Sequence, residues 1–160
     1  MIGDSAWIWI AGEQTEKNCY AVFRKSFEIT GTVENADLAI AADSNFTVWL
    51  NGVRVPGGQF SDFAQKRTYS TFDIAQYLTA GKNTLAVRVH YIGEEFATYT
   101  TGKPGLIAEL RLNGARLTGT DASWKGRCDH AFFNGPIATE KPCPTRNFSV
   151  MPCATKSAFW

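Results

Sequence analysis

The run "NFTVWLNGVRV", residues 45–55, decides the fold: an alternating stretch, a two-residue turn and a second extended stretch. Phe46, Val48 and Leu50 fall on one side of it, Thr47 and Trp49 on the other. A period of two is that of a half-buried strand, since successive side chains of a strand point to opposite faces. Asn51-Gly52 supplies the turn. Both central residues of a type I′ turn need positive φ, which Asn and Gly tolerate, so the stretch predicts a hairpin.

The same pattern extends in both directions. Toward the N-terminus, Ala36 to Ala42 places Leu38, Ile40 and Ala42 on one face. Cys19 to Ile29 alternates Ala21, Phe23, Phe27 and Ile29 around Lys25, and Ala6 to Ile10 forms a short opening strand. Toward the C-terminus, Thr84 to Tyr91 directs Leu85, Val87, Val89 and Tyr91 inward and Ala86, Arg88 and His90 outward. Leu106 to Leu112 directs Leu106, Ala108, Leu110 and Leu112 inward, leaving Ile107, Glu109 and Arg111 outward. Asn113-Gly114 then repeats the hairpin signal before "ARL". Helix is expected only over Asp73 to Leu78, capped by Asp73 or Thr71 and stopped near Gly81. Many short antiparallel strands with almost no helix predict an all-β fold, an antiparallel β-sandwich or jelly roll.

Residues 1–125 read as the sandwich domain. Residues 126–160 hold Pro136, Pro142, Pro144 and Pro152 without sustained alternation, and read as an irregular tail packed on or beside it. A chain of 160 residues is the usual size of one domain. At that length a fold buries roughly 70% of its unfolded surface, enough for a core without staples.

Composition excludes several functions. Sixteen basic residues balance fifteen acidic ones, which argues against nucleic-acid and anionic-membrane partners. There is no run of 18 apolar residues to span a bilayer. Met1-Ile2-Gly3-Asp4 opens without the basic and apolar regions of a signal peptide, and the compartment stays open between exported and cytoplasmic. Cys19, in an apolar strand pattern, reads as a buried small hydrophobe; Cys128, Cys143 and Cys153 allow one disulfide and show no zinc-ligand spacing. Five Trp, five Tyr and eleven Phe make rings plentiful; most must be core, but a surplus of rings is also what a pyranose packs against. Trp7 and Trp9 read as core or as a domain interface. Trp49, at an outward position, reads as a sugar platform or as a covered ring.

Catalytic constellations are weak. The acidic residues are scattered, the adjacent pair Glu94-Glu95 lies in a loop, and there is no "GxSxG" elbow. His90 reads as a solvated or hydrogen-bonded surface histidine. The more informative cluster is Asp43, Ser44 and Asn45, three oxygen-bearing side chains where one strand ends and the next begins. It reads either as a turn, whose side chains bond their own backbone, or as a cation or sugar site. Ca²⁺ takes six to eight oxygens from carboxylates, amides, carbonyls and water. The loop from Ile92 to Pro104, with Glu94, Glu95, Tyr99 and Thr100, is the natural second contributor.

Together "WIWIAGEQTEKNCYAVFRKSFEI", "ADLAIAADSNFTVWLNGVRV", "YSTFDIAQYLTAGKNTLAVRVHYIG" and "GKPGLIAELRLNG", followed by "TDASWKG", resemble the N-terminal jelly-roll domain of bacterial α-L-rhamnosidases, glycoside hydrolase family 78. The likeness runs from about Ala6 to Lys125, and it implies a non-catalytic accessory domain. The family's paired glutamates sit in a helical (α/α)6 barrel further along such chains, and 160 residues are too few to include it. Related jelly rolls, the family 67 carbohydrate-binding modules, hold L-rhamnose through calcium by an Asp-Asn pair. Asp43 matches that Asp; Ser44 stands where the Asn would be, and Asn45 comes one place later. The resemblance therefore implies a carbohydrate site at Asp43, Ser44, Asn45, Glu94 and Tyr99, with Asp43 and Asn45 on Ca²⁺. The partners expected are a rhamnose-containing glycan and the remaining domains of a rhamnosidase. A purely structural domain that binds no sugar is the alternative.

Overall fold

The computed structural model describes residues 2–10, 17–58, 68–95, 99–129, 131–132 and 148–152. The chain forms an antiparallel β-sandwich. Its strands are β1 (Ile8–Ile10), β2 (Cys19–Ile29), β3 (Ala36–Asp43), β4 (Asn45–Leu50), β5 (Val53–Val55), β6 (Ser70–Asp73), β7 (Gly81–Tyr91), β8 (Gly105–Leu112), β9 (Ala115–Gly119), β10 (Lys125–Cys128) and β11 (Phe148–Pro152). One layer runs β1-β8-β3-β6, with β9 paired to β8; the other runs β5-β4-β7-β2-β10. Strand β11 pairs with both β10 and β1 and joins the two layers.

Alternation creates the core between the layers. Phe46, Val48, Leu50, Leu85, Val87, Val89, Ala21 and Phe23 from one layer meet Leu38, Ile40, Ala42, Leu106, Ala108 and Leu110 from the other. Trp9 completes it, 5.6 Å from Phe23 and 6.2 Å from Tyr91 between ring centres. Cys19 is buried and Cys128 is partly buried against the core. Both Asn-Gly pairs form the turns their sequence requires: Asn51, Gly52, Asn113 and Gly114 all have positive φ.

Three expectations change. The helix over Asp73–Leu78 is a single 3-10 turn, Ala75–Tyr77. Asp73 closes β6, and its Oδ1 accepts the Ala75 N–H rather than capping a longer helix. The segment beyond residue 125, expected to be irregular, contributes β10 and β11; β10 extends the sheet because Lys125–Cys128 pairs with Ala21–Arg24. Cys143, Cys153 and His130 lie outside the described residues. Finally, Ile107 and Glu109 are buried, although their strand parity turns them outward. The N-terminal segment crosses that face: Trp7 and Ile2 pack on Ile107 and Ala41, and the Gly3 N–H reaches Glu109 Oε2 at 3.0 Å. Burial works to raise the Glu109 pKa, but the Gly3 hydrogen bond and the Arg111 and Arg116 guanidinium groups outweigh it and hold the carboxyl below its ordinary value.

Buried Asn83 locks the hairpin of β4 and β5 to the entry of β7. Its Oδ1 accepts from Thr79 N and from Asn51 Nδ2, at 3.0 and 2.8 Å, while its Nδ2 donates to the carbonyls of Thr79 and Gly81. Asn83→Ala removes all four of these hydrogen bonds from a buried side chain, so unfolding free energy should fall by about 1–3 kcal/mol. Urea unfolding with an unchanged m-value checks this; a loss under about 0.5 kcal/mol would contradict the assigned role.

Candidate functional site

Strand β3 hands over to β4 at Asp43-Ser44, where the chain crosses from one layer to the other through a cis peptide. Asp43 and Ser44 are each only 1% exposed. Asp43 Oδ1 accepts hydrogen bonds from Tyr99 Oη at 2.8 Å and Ser44 Oγ at 3.1 Å. Ser44 Oγ in turn accepts the Ile92 N–H at 3.2 Å, and Ser44 N donates to the His90 carbonyl. The structure thus brings Asp43, Ser44 and Tyr99 together as an internal network that seals the crossover and anchors the start of the 92–104 loop. Gly93 allows that loop its close approach. It has positive φ, and a Cβ there would lie 2.9 Å from Lys17 Cα.

The remaining candidates lie elsewhere. Glu94 is exposed and pairs with Lys17 at 3.2 Å. Asn45 begins β4 at the same parity as Thr47 and Trp49, on the outer face of its layer. Asp43 is the lone carboxylate of the network described, and its Oδ1 already accepts two hydroxyl protons. Among the described residues no group of three or more His, Cys, Asp or Glu could hold a metal ion. Side chains alone thus offer fewer than the six to eight oxygens that calcium takes, and backbone carbonyls and water would have to supply the rest.

Sequence reasoning missed the neighbouring surface. Asn45, His90 and Tyr20 are directly paired across β4, β7 and β2, which puts their side chains on one outer face. Tyr20 stacks on His90, with centroids 4.1 Å apart and planes 4° apart, and on its other neighbour, Phe132, at 4.3 Å. The Arg88 guanidinium lies 4.7 Å from the Phe132 ring and 5.5 Å from half-buried Trp49. Asn18 Oδ1 and His90 Nε2 are 2.9 Å apart. Burial, and then the Arg88 charge, lower the His90 pKa, which favours the neutral ring. The result is a stacked column of rings and one guanidinium, bordered by amides. Its signal was available in the shared outward parity of Asn45, His90 and Tyr20, once the strands are set in register.

The buried network predicts its own titration. Desolvation, reinforced by the Asp43 carboxylate, raises the Tyr99 pKa to about 12. A phenol that ionises near 10 when unfolded then releases its proton earlier from the unfolded chain, so stability should fall as pH rises from about 10 to about 12. Tyr99→Phe should flatten that dependence while costing about 1.5–3 kcal/mol at neutral pH, the worth of a hydrogen bond to a charged group. Urea unfolding across pH checks both; an unchanged alkaline slope in the variant would refute the assignment.

Comparisons with known proteins place the chain. The model of the alpha-L-rhamnosidase N-terminal domain family matches residues 31–140. An α-L-rhamnosidase of Streptomyces avermitilis is 29% identical over 138 residues, covering 82% of this chain and 13% of that protein. The crystal structure of a GH78 family rhamnosidase of Bacillus sp. GL1 superposes with a TM-score of 0.75 and 34% identity, over 80% of this chain and 14% of that one. A lectin from Pleurotus ostreatus in complex with GalNAc has a TM-score of 0.54 and 27% identity, over 79% of this chain and 35% of that one. The chain thus spans a small fraction of the rhamnosidases it matches, and that fraction is the region their family model describes. This chain belongs to the α-L-rhamnosidase N-terminal domain family.

Proposed function

We propose that the chain is a non-catalytic, carbohydrate-binding accessory domain of an α-L-rhamnosidase-like protein, and that sugar meets it on the outer face of the β5-β4-β7-β2-β10 layer. The observation that carries this reading is the column Trp49, Arg88, Phe132, Tyr20 and His90. Aromatic rings suit the apolar C–H groups of a pyranose, which can meet their outward edges, and convergent polar groups fix its orientation. Asn18 and Asn45 supply amides at one end of the column. Likeness to a lectin in complex with GalNAc supports a saccharide as ligand for this type of sandwich. The catalytic carboxylates of such an enzyme would then belong to its other domains, against which this one packs.

In the calcium-mediated form of the proposal, Asp43 is the metal's carboxylate, Asn45 lies beside it and carbonyls of residues 92–104 complete the shell. Bidentate coordination would require Asp43 Oδ1 to exchange Tyr99 and Ser44 for the ion. Because Asp43 is buried, Asp43→Asn perturbs the fold as well as any metal, so chelation is the cleaner probe.

Calorimetric titration of L-rhamnose, and of a rhamnose-containing oligosaccharide, tests the reading. An exposed site with few contacts should give millimolar to micromolar affinity, about −4 to −8 kcal/mol. Tyr20→Ala and Trp49→Ala should weaken it, with melting temperature followed as the folding control. Heat that vanishes in EDTA and returns with Ca²⁺ supports the calcium form. No heat with either sugar, with or without Ca²⁺, would leave only the structural-domain alternative standing.

A further inference from the structure

The same outer face carries a concentration of positive charge. Residues directly opposite on antiparallel strands share a face. The register Arg54, Trp49, Ala86, Arg24, Lys125 therefore forms one row across β5, β4, β7, β2 and β10. The next row is Thr47, Arg88, Val22, Arg127. At the usual strand spacing of ~4.8 Å the five-stranded row extends about 19 Å. Arg24, Arg54, Lys125 and Arg127 are exposed, and Arg88 is half-buried. All this stands on a chain whose formal net charge is only +1.

These cations are unspent within the fold. Among the described residues, none of Arg24, Arg54, Lys125 and Arg127 joins an ion pair, whereas Arg88 lies 4.0 Å from Asp129. The other layer differs: there Arg111 and Arg116 converge on Glu109, at 3.0 and 3.6 Å. Between the cations lie small or apolar side chains, Ala86 and Val22, which leave room for long basic side chains to reach a ligand lying across the strands. Trp49 stands within the first row, beside Arg54 and under Arg88.

We propose that this face binds the carboxylate-bearing, uronate-rich stretches of an acidic polysaccharide. The inference rests on the sugar-binding reading above and specifies its ligand. Guanidinium forks take carboxylates in two parallel hydrogen bonds, and the ring of Trp49 takes the apolar face of a sugar residue. A linear polymer laid along either row meets several such groups in succession, so individually weak contacts add along the chain.

Surface plasmon resonance with immobilised polygalacturonate tests this. Its uncharged counterparts are fully methyl-esterified pectin and a neutral rhamnose-containing polysaccharide. The domain should bind polygalacturonate at least about fivefold more tightly than either, and release it in 1 M salt, where the screening length is ~3 Å. Arg24→Glu with Arg127→Glu should abolish that preference and leave neutral binding unchanged, with the melting temperature confirming the fold. Trp49→Ala should weaken both. Equal binding to charged and neutral polymers, unaffected by the charge reversal, would overturn this inference while sparing the sugar-binding reading. Equal retention on poly-L-glutamate, which offers carboxylates without sugar rings, would also overturn it and point to an acidic protein surface.

Discussion

The pairing of β2 with β7 is the constraint on which the rest depends. Eleven residues of each strand stay in unbroken register, from Cys19 opposite Tyr91 to Ile29 opposite Gly81. Side chains alternate with a period of two, so a slip of one residue would turn Ala21 and Phe23 out to water and bring Arg24 and Val22 into the core. Burial of Phe23, Val87 and Val89, each 0% exposed, fixes the register strongly. The outer face follows without further choice. Tyr20 must meet His90, Val22 must meet Arg88, and Arg24 must meet Ala86. One hydrophobic ladder thus sets both the core and the surface that the functional reading uses.

Two polar regions at the end of the sandwich do different work. Asp43, Ser44 and Tyr99 satisfy one another behind the surface, where an unpaired carboxylate would be costly to desolvate. Their effect is structural: they hold the crossover between layers and tether the loop after β7. Asn45, one residue further, belongs to the outer row with His90 and Tyr20. A bend of two residues therefore separates a sealed network from an accessible surface, although the three residues are consecutive in sequence.

Much of the fold was legible because local rules sufficed. Alternation marked the inward residues of β3, β4, β7 and β8, and Asn51-Gly52 and Asn113-Gly114 announced turns whose backbone needs positive φ. What escaped depended on distant partners. Glu109 is held by Gly3 and Arg116 as well as by Arg111 of its own strand, and Ile107 is covered by Trp7 and Ile2; all but Arg111 come from other parts of the chain. Strand β10 is four residues with a glycine, too short to show a period, and owes its place to β2. The site was half-legible for the same reason. Asp43 and Tyr99 meet across 56 positions. Glu94 instead pairs with Lys17 across 77. The ring column and the cation rows are properties of register, visible only when strands are laid side by side.

The central claim is that the ligand surface is the outer face set by the β2–β7 ladder. Amide chemical-shift mapping during titration with a rhamnose- and uronate-containing oligosaccharide tests it most directly. The account predicts perturbations concentrated in residues 20–24, 45–49, 84–90 and 125–127, with the amides of β3 and β8 unmoved. Perturbations confined to β3, β8 and the 92–104 loop, or none at saturating sugar, would contradict it.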